Sequence, residues 1–514
     1  MSFNFSKSRF VATYERCNKY AWLDKHMPDQ KTPVDEFTES LFDNGHKVGA
    51  LAKQFFNIDV DVTVLKENGG QDNYAMLKET EKQINNGTRT IAEASFAFGG
   101  FFCSVDILVK NDDGSYNIYE VKSSKIDLKK YKQYGGVKKK YVLDAAYQQY
   151  VLQNCGINVN KVFVVLLAQD YVRGKTLELN KYFTCCDVTC YTNGLQTTVK
   201  DKLAEIEPII NSVTEPASVI TKNCHHCDYF AYCTKHIPSP SPFDIYKLNF
   251  TNKCNLYNSG ISFIDAPNHE KGIGKAARKQ IEYYNRPNDT YVEKDKIKEF
   301  LASLKFPLYS LDFETYQAVV PEHEGMKPYE VVPFQYSLHI IKKPNGDYNE
   351  GSADIEETHF LDVTGKDSRR AIAESLVKDI PYGACVIAYN TEAVEKKIIE
   401  RLAAQFPDLA GHLLSFEYRD PKPLFQNGHY YNTAMWNSFS IKSVLPALYP
   451  DEKDMDYRSL QGDIKSGKQA MTAIERSKDL SPEEVEQIKR DLIAYCALDT
   501  FAIVKILKKF YEVI

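Results

Sequence analysis

Two strand-like stretches joined by a tight turn constrain the fold of the first half more than any other feature. Residues 101–110 (FFCSVDILVK) and 116–124 (YNIYEVKSS) are largely apolar with the two-residue periodicity of strands. Between them, Asn-Asp-Asp-Gly at 111–114 is typical of a hairpin turn. The sequence therefore predicts an antiparallel pair of strands inside a mixed α/β domain.

Three charged side chains meet on this hairpin. Glu120 and Lys122 lie two residues apart and so project from one face of their strand, while Asp106 lies almost opposite Glu120. Neighbouring carboxylates repel unless a cation lies between them, and a nearby lysine stabilises a developing anion or orients water. The pattern predicts metal-assisted hydrolysis of phosphodiester bonds with Mg²⁺ or Mn²⁺. A surface hairpin with ordinary charges is the alternative.

Other candidate side chains flank the hairpin. The helical segment from Asp144 presents Gln148 or Tyr150 to the same site. His46 lies in an upstream helical segment, although a lone histidine is more often structural than catalytic. Residues 129–141 interleave lysines with tyrosines, which predicts either a grip on a phosphate backbone with stacked bases or a solvated loop.

Four of the twelve cysteines form a separate pattern. Cys224, Cys227 and Cys233 lie within ten residues, and the Cys-x-x-Cys spacing lets two thiolates reach one metal centre. Cys17 is the candidate fourth ligand. Four thiolates suit a four-iron cubane or zinc, and the spacing does not decide between them. The other cysteines are scattered, and a disulfide framework is not expected in a chain of this size without a secretion signal.

These residues together resemble a known nuclease family. Asp106, Glu120, Lys122 and the helix of His46 are similar to the RecB-type branch of the restriction-endonuclease-like, PD-(D/E)XK superfamily. The resemblance implies that His46, Asp106 and Glu120 bind the metal and that Lys122 assists catalysis. In this family a Gln lies four residues before a Tyr; here Ala146 holds that place, so Gln148 is the substitute candidate.

The cysteines extend the resemblance. In the iron–sulfur members, which include the CRISPR-adaptation nuclease and the AddB subunit, one N-terminal cysteine and a C-terminal Cys-x-x-Cys plus one more close around the nuclease core. Cys17, Cys224, Cys227 and Cys233 match that order and spacing. The resemblance therefore implies a 4Fe-4S cluster, with zinc as the alternative.

The second half begins after a proline-rich stretch. Residues 237–242 (IPSPSP) predict an extended linker, and a polar, helical segment follows to about residue 300. Within it, Lys271–Ala276 faintly resembles a helix-hairpin-helix turn that offers backbone amides to phosphate, although loop glycines give the same pattern. From Phe306 onward, apolar strands and helices predict a second α/β domain.

This second domain carries its own acidic pattern. Asp312 and Glu314 are two apart on a strand and share a face, while Tyr495 and Asp499 are four apart on a helix. Acids from separate elements that bind metal, with a tyrosine that orients the attacking water, predict a hydrolytic centre. The motifs Asp-x-Glu and Tyr-x-x-x-Asp resemble those of the DnaQ-type exonucleases, which implies a ribonuclease-H-like core.

That family has one more acid, on the helix that follows a strand. In this chain the strand ends at Asn390, and the usual offset falls on Val394, one residue short of Glu395. Glu395 is the predicted ligand and Asp420 the competing candidate. The mismatch leaves the activity of this domain open.

The whole chain resembles an uncharacterised bacterial family that joins the two nuclease types. The resemblance, supported by phrases such as Pro333-Phe-Gln-Tyr-Ser-Leu-His, predicts a restriction-endonuclease-like domain with an iron–sulfur cluster at 1–237. A linker and small helical segment then occupy 238–300, and an exonuclease-type domain 301–514.

Composition limits the remaining functions. The 514 residues have a net charge of −5, so nucleic acid must bind through local basic patches. No secretion signal and no apolar run of about 18 residues is present, so we expect a cytoplasmic protein without a membrane span. The sequence predicts a metal-dependent nuclease, exonucleolytic or specific for single strands, with DNA favoured over RNA. The alternatives are a non-catalytic nucleic-acid-binding protein and an RNA-processing exonuclease.

Overall fold

The computed structural model describes residues 5–287, 289–477 and 480–514. The chain consists of two compact units. The first runs to His236 and also includes Ala318–Glu330, and the second comprises Ile237–Gln317 and Val331–Ile514. Both units mix helices with sheets, so the predicted α/β class is confirmed. None of the helices within the described ranges has the length and hydropathy to cross a membrane.

A mixed sheet forms the centre of the first unit. Its strands are β1 (Phe5–Ser6), β2 (Val60–Asp61), β3 (Thr90–Phe98), β4 (Phe101–Lys110), β5 (Tyr116–Lys125), β6 (Val159–Leu167) and β7 (Phe183–Asp187). They follow the order β2-β3-β4-β5-β6-β7, and β1 pairs in parallel with the start of β4. The predicted hairpin is therefore confirmed as β4 and β5, in the middle of the sheet.

The two hairpin strands separate where the acidic residues lie. Their ladder ends at the pair Ile107 and Tyr119, one step before Asp106 and Glu120 would face each other. Beyond that point, the Asp106 carboxylate accepts a hydrogen bond from the backbone N–H of Val121 at 2.7 Å. The Asp106 side chain thus accepts the hydrogen bond of a backbone N–H, that of Val121, which has no partner in the β4–β5 ladder. The two strands are therefore apart at this position.

Helices cover the first sheet. They are α1 (Lys7–Glu15), α2 (Asn18–His26), α3 (Glu36–Phe55), α4 (Asn73–Asn85), α5 (Lys139–Asn154), α6 (Leu179–Tyr182), α7 (Thr189–Gly194), α8 (Gln196–Asn211) and α9 (Phe230–Thr234). Helix α5 is buried along most of its length, and Val142, Ala145 and Val151 belong to the main core of the unit. Its polar residues are consequently held in fixed positions against the sheet.

The segment 318–330 packs within the first unit. Val319 joins an apolar cluster with Tyr182, whose hydroxyl donates to the Val319 carbonyl at 3.0 Å. The Tyr329 hydroxyl donates to the carbonyl of Ser123 at 2.7 Å. This second contact places Tyr329 beside the end of β5.

The second unit is built on a five-stranded sheet. Its strands are β9 (Leu308–Tyr316), β10 (Val332–Ile341), β11 (Ile355–Leu361), β12 (Cys385–Ile387) and β13 (Glu417–Arg419). The order is β11-β10-β9-β12-β13, with antiparallel pairing from β11 to β9 and parallel pairing from β9 to β13. Strand β9 is therefore central, and β8 (Thr290–Val292) and β14 (Tyr430–Asn432) form a separate pair.

Helices of the second unit begin in the segment for which the sequence predicts a linker and short helices. They are α10 (Phe250–Asn258), α11 (Ala266–His269), α12 (Lys275–Tyr283), α13 (Lys294–Ala302), α14 (Arg369–Asp379), α15 (Glu395–Gln405), α16 (Pro407–Leu413), α17 (Lys422–Gln426), α18 (Ile441–Leu448), α19 (Gly467–Arg476) and α20 (Pro482–Val513). Polar contacts fix α20 on the sheet: the hydroxyls of Ser310 and Ser337 bond Thr500, and the Gln335 amide donates to the Leu492 carbonyl.

Candidate metal centres and cysteine cluster

The first acidic cluster is a group of side chains from β4, β5, α1 and α5. Its members are Lys7, Asp106, Glu120, Lys122, Asp144 and Gln148. Glu120 lies at its centre with 1% of its side chain exposed. The Gln148 amide donates to Glu120 Oε2 at 2.7 Å, and the Lys122 ammonium donates to Oε1 at 2.6 Å. The structure therefore brings together Asp106, Glu120, Lys122 and Gln148, all of which the sequence predicts.

Asp144 is a member that sequence reasoning did not assign. Its Oδ2 accepts from the Lys122 ammonium at 2.7 Å, and its Oδ1 accepts from the Gln148 amide at 3.0 Å. Asp144 lies one helical turn before Gln148, so the two share a face of α5. This four-residue spacing is the sequence pattern that marks Asp144 as a candidate beside Gln148. Burial lowers the pKa of Lys122, but Asp144 and Glu120 outweigh burial and hold it above its usual value.

Lys7 is the second member that the sequence did not assign. Its ammonium donates to both oxygens of Glu120, at 3.0 and 2.9 Å, and lies 3.5 Å from Asp106 Oδ1. Burial disfavours this charge, yet Asp106 and Glu120 raise the pKa of Lys7 well above its usual value. A lysine ammonium thus lies between the two carboxylates that are predicted to bind metal.

One polar atom in the cluster has no partner. Gln148 is fully buried, and its Oε1 accepts no hydrogen bond among the described residues. A buried acceptor without a donor costs roughly 1–3 kcal/mol, so such atoms are uncommon in native proteins. This oxygen is available to a water molecule or another ligand beside Glu120.

Two other candidates do not join the cluster. Helix α3 packs on β5 through Val48 and Ala52, which belong to an apolar cluster that includes Val121. His46 is two positions from Val48, and residues so spaced do not share a helix face, so its side chain is exposed. Tyr150 packs against the main apolar core instead. The metal-binding role of His46 stays a prediction.

The four cysteines converge at one end of the first unit. Cys17 precedes α2, Cys224 and Cys227 flank a short loop, and Cys233 lies in α9. All four line a small, mainly apolar cavity of about 20 Å³. Burial raises the pKa of the Cys17 and Cys233 thiols, and it raises that of Cys227 to about 11.

Arg16 holds the cysteine loop in place. Its guanidinium donates to the backbone carbonyls of Asn223, His225 and His226 at 2.8–3.1 Å. This contact ties the residue before Cys17 to the loop between Cys224 and Cys227. Throughout the described chain, no three of the four sulfur atoms lie within 4.8 Å of one another. In a closed zinc tetrathiolate the sulfurs are about 3.8 Å apart, as Zn–S bonds of about 2.3 Å require.

The second acidic cluster lies between β9 and α20 and consists of Asp312, Glu314, Glu395 and Asp499. Ligand atoms of Asp312, Glu314 and Cys496 lie within 4.8 Å of one another. Burial, followed by the charge of Asp499, raises the pKa of Asp312 well above its usual value and that of Glu314 to about 8. A group of buried carboxyls therefore holds protons that a divalent cation would replace.

Aromatic side chains and one lysine surround Asp499. The Tyr457 hydroxyl donates to Asp499 Oδ1 at 2.6 Å, and Tyr495 lies on the same helix one turn before it. The Lys442 ammonium lies 4.6 Å from the ring centroid of Tyr495 and 5.0 Å from that of Tyr457. The sequence predicts Tyr495 and Asp499, whereas Tyr457 and Lys442 were not assigned because no local pattern marks them.

Glu395 joins this second cluster. Asn390 adopts a left-handed backbone conformation (φ 78°) after β12, and α15 begins at Glu395. Glu395 is 2% exposed, whereas Val394 is 38% exposed. Burial raises the pKa of Glu395 to about 8, with further contributions from Asp420 and Asp499. Its Oε2 accepts no hydrogen bond among the described residues.

Asp420, the competing candidate, is occupied by backbone groups. Its Oδ1 accepts from the N–H groups of Lys422 at 2.9 Å and Asn390 at 3.2 Å. The Asp420 carboxylate is therefore held by backbone hydrogen bonds, whereas Oε2 of Glu395 has no hydrogen-bond partner among the described residues.

Comparison with known proteins gives a family match and several similar solved structures, which include the following two. Residues 309–440 match the model of a domain of unknown function, DUF2779. The crystal structure of SSO0001 is 12% identical and has a TM-score of 0.21, over 46% of this chain and 87% of that chain. An alkaline exonuclease from Laribacter hongkongensis is 14% identical with a TM-score of 0.22, over 40% of this chain and 90% of that one. No curated protein matches the sequence.

Proposed function

We propose that the chain is a Mg²⁺- or Mn²⁺-dependent nuclease that hydrolyses phosphodiester bonds of DNA at the first acidic cluster. The observation that carries this proposal is the convergence of Asp106, Glu120 and Lys122 where β4 and β5 separate. A divalent cation held by the two carboxylates would polarise the phosphodiester and lower the pKa of the attacking water.

Within this site, Lys122 stabilises negative charge on the phosphate. Its ammonium is oriented by Glu120 and Asp144, at 2.6 and 2.7 Å, so its position is set before substrate binds. The unpartnered Oε1 of Gln148 is the acceptor to which a water molecule beside Glu120 would donate. Asp144 and Gln148 thus act as positioning residues for Lys122 and Glu120.

Lys7 neutralises the acidic pair when no other cation is bound. Three carboxylates and two ammonium groups make up the cluster, and the Lys7 ammonium lies between Glu120 and Asp106. A divalent cation bound there would compete with Lys7 for Glu120. The freed ammonium would then lie close to the phosphate that the site receives.

The second acidic cluster is proposed as a further nuclease centre in a ribonuclease-H-like, DnaQ-type domain. The central position of β9 between antiparallel β10 and parallel β12 supports this fold. Asp312, Glu314, Glu395 and Asp499 would hold metal, and Tyr495 would orient water. The burial and unpartnered oxygen of Glu395 favour it over Asp420 as the additional acid.

A 4Fe-4S cluster is proposed for the four cysteines. Four soft thiol donors that line one apolar cavity support a thiolate-bound metal group, with zinc as the alternative. Bound there, the group would link the start of α2 to the chain around α9 and so clamp the nuclease domain proposed for residues 1–237. A linker with a small helical segment at 238–300 and the exonuclease-type domain at 301–514 complete the proposal.

The test is cleavage of end-labelled DNA by the purified chain, with Mg²⁺ or Mn²⁺ and with EDTA. We expect metal-dependent cleavage that falls in Asp106→Ala and in Asp312→Ala and is lost when both are combined. Asp112→Ala is the matched control, because this hairpin aspartate is 93% exposed. Full cleavage by the double variant would refute both assignments. Matched DNA and RNA oligonucleotides distinguish an RNA-processing enzyme, and metal-independent binding without cleavage would indicate a non-catalytic binding protein.

A further inference from the structure

A basic cavity lies next to the first acidic cluster. It has a volume of about 470 Å³, within the usual range for ligand sites, and its walls include Ser124, Lys125, Lys130, Tyr131 and Lys138. All of these residues belong to the first unit. We call it the lysine cavity.

A continuous set of contacts joins the lysine cavity to the proposed catalytic residues. The Lys122 ammonium, bonded to Glu120, lies 5.4 Å from the ring centroid of Tyr141. The Tyr141 hydroxyl bonds the Ser124 hydroxyl at 2.7 Å, and Lys138 donates to the same hydroxyl at 3.1 Å. Tyr141 and Ser124 therefore connect Lys122 to the wall of the lysine cavity.

The lysines that line the cavity form no ion pair within the described part of the chain. In the described ranges, no carboxylate oxygen forms an ion pair with Lys125, Lys130 or Lys138. The lining residue Asp127 instead accepts from the backbone N–H groups of Lys129 and Lys130 at 3.1 and 2.8 Å. The Lys125 ammonium donates to the Pro328 carbonyl at 2.9 Å, so Lys130 and Lys138 are the two lining lysines whose charge is most accessible to an anion.

The lysine cavity also offers an aromatic face. Tyr131 lines it half-buried, with the Lys130 ammonium 5.5 Å from its ring centroid, and no other aromatic ring of the described chain stacks on it. Lysine ammonium groups combined with an aromatic ring suit single-stranded nucleic acid, since the cations contact phosphates and an unpaired base has an open face for stacking. A paired base is already stacked between its neighbours and cannot lie flat on this ring.

We propose that the lysine cavity binds the single-stranded part of the substrate, with phosphates on Lys130 and Lys138 and a base on Tyr131. This inference rests on the proposed function, and it specifies single-stranded polynucleotide as the substrate class next to the scissile bond. Both DNA and RNA strands share the phosphates and bases that these residues would contact.

Binding in EDTA tests the inference separately from cleavage. The probe is a fluorescent strand of about ten thymidines, measured by anisotropy over a range of salt concentrations. Lys130→Gln/Lys138→Gln should weaken binding and lower the slope of log Kd against log salt by about 1.4, since each phosphate contact on a single strand contributes about 0.7. Tyr131→Leu should raise Kd by roughly 5- to 150-fold.

The matched control is Lys129→Gln/Lys132→Gln, which removes the same charge from the same loop outside the lysine cavity. We expect its salt slope to stay close to that of the unchanged protein. Equal effects of the two double variants, or equal affinity for a duplex of the same sequence, would overturn the proposal. A matched uridine strand that loses affinity in parallel extends the assignment to RNA.

Cleavage supplies a second readout. With Mg²⁺, the cavity variants should raise KM for long strands and leave kcat within about twofold, because they remove binding and not chemistry. A fall in kcat at unchanged KM would contradict a binding role. Should the protein cleave nothing, the proposed function fails while the EDTA measurement still decides whether the lysine cavity binds strands.

Discussion

Metal binding to the second acidic cluster should release protons at neutral pH. Burial raises the pKa of Glu314 and of Glu395 to about 8, so at pH 7 each carboxyl is roughly 90% protonated in the metal-free protein. A divalent cation binds the carboxylate form and must displace those protons. The two groups together should release about two protons per chain at pH 7, and Asp312 adds to that number.

The same shifts predict how stability depends on pH. Because the folded-state pKa is raised, the folded protein binds more protons than the unfolded chain between about pH 4.5 and 8. The metal-free second unit should therefore lose about 1.4 kcal/mol of unfolding free energy per pH unit for each such carboxyl as the pH rises through that window. Bound metal should abolish this loss of unfolding free energy with rising pH.

Calorimetry measures the proton count directly. Mg²⁺ is titrated into Asp106→Asn/Glu120→Gln, which disables the first cluster, in two buffers with different ionisation enthalpies. From Glu314 and Glu395 we expect about two protons at pH 7 and roughly 0.2 at pH 9, where both carboxyls are already ionised. Glu314→Gln/Glu395→Gln in the same background should lower the release at pH 7 by about two protons, which leaves only the contribution of Asp312. Fewer than roughly half a proton at pH 7, or equal values at both pH, would refute the reasoning.

Three further predictions concern the first unit. Lys122→Met should lower kcat about 100- to 1000-fold in DNA cleavage with little change in metal affinity, and an unchanged kcat would remove Lys122 from the mechanism. Gln148→Leu should lower the free energy of unfolding by roughly 1–3 kcal/mol in urea titrations, since Glu120 and Asp144 lose a buried donor. An unchanged free energy of unfolding would contradict this expectation. Cys227→Ser should abolish absorbance near ~400 nm and bound iron, whereas a colourless unchanged protein that contains zinc would favour the other metal.

The parts of the site that could be predicted from sequence are those encoded by local periodicity. Asp106, Glu120 and Lys122 lie on one hairpin, where a turn signal and two-residue alternation determine which side chains meet. Asp312 and Glu314, and likewise Tyr495 and Asp499, share a strand or helix face for the same reason. These short-range patterns also predict the mixed α/β architecture of both units.

Other members depend on tertiary packing that no local pattern encodes. Lys7 reaches Glu120 across 113 residues, and Tyr457 reaches Asp499 across 42. The position of Glu395 depends on the turn at Asn390, which determines where α15 begins. The orientation of the His46 side chain depends on which face of α3 packs on β5. A single histidine in the sequence does not indicate which face that is.

Anomalous scattering from crystals soaked in Mn²⁺ tests most directly whether these carboxylates are metal ligands. We predict one density peak between Asp106 and Glu120, with the Lys7 ammonium displaced, and another among Asp312, Glu314 and Asp499. Absence of manganese from both positions at saturating concentration, with Lys7 still bonded to Glu120, would contradict a metal-dependent nuclease.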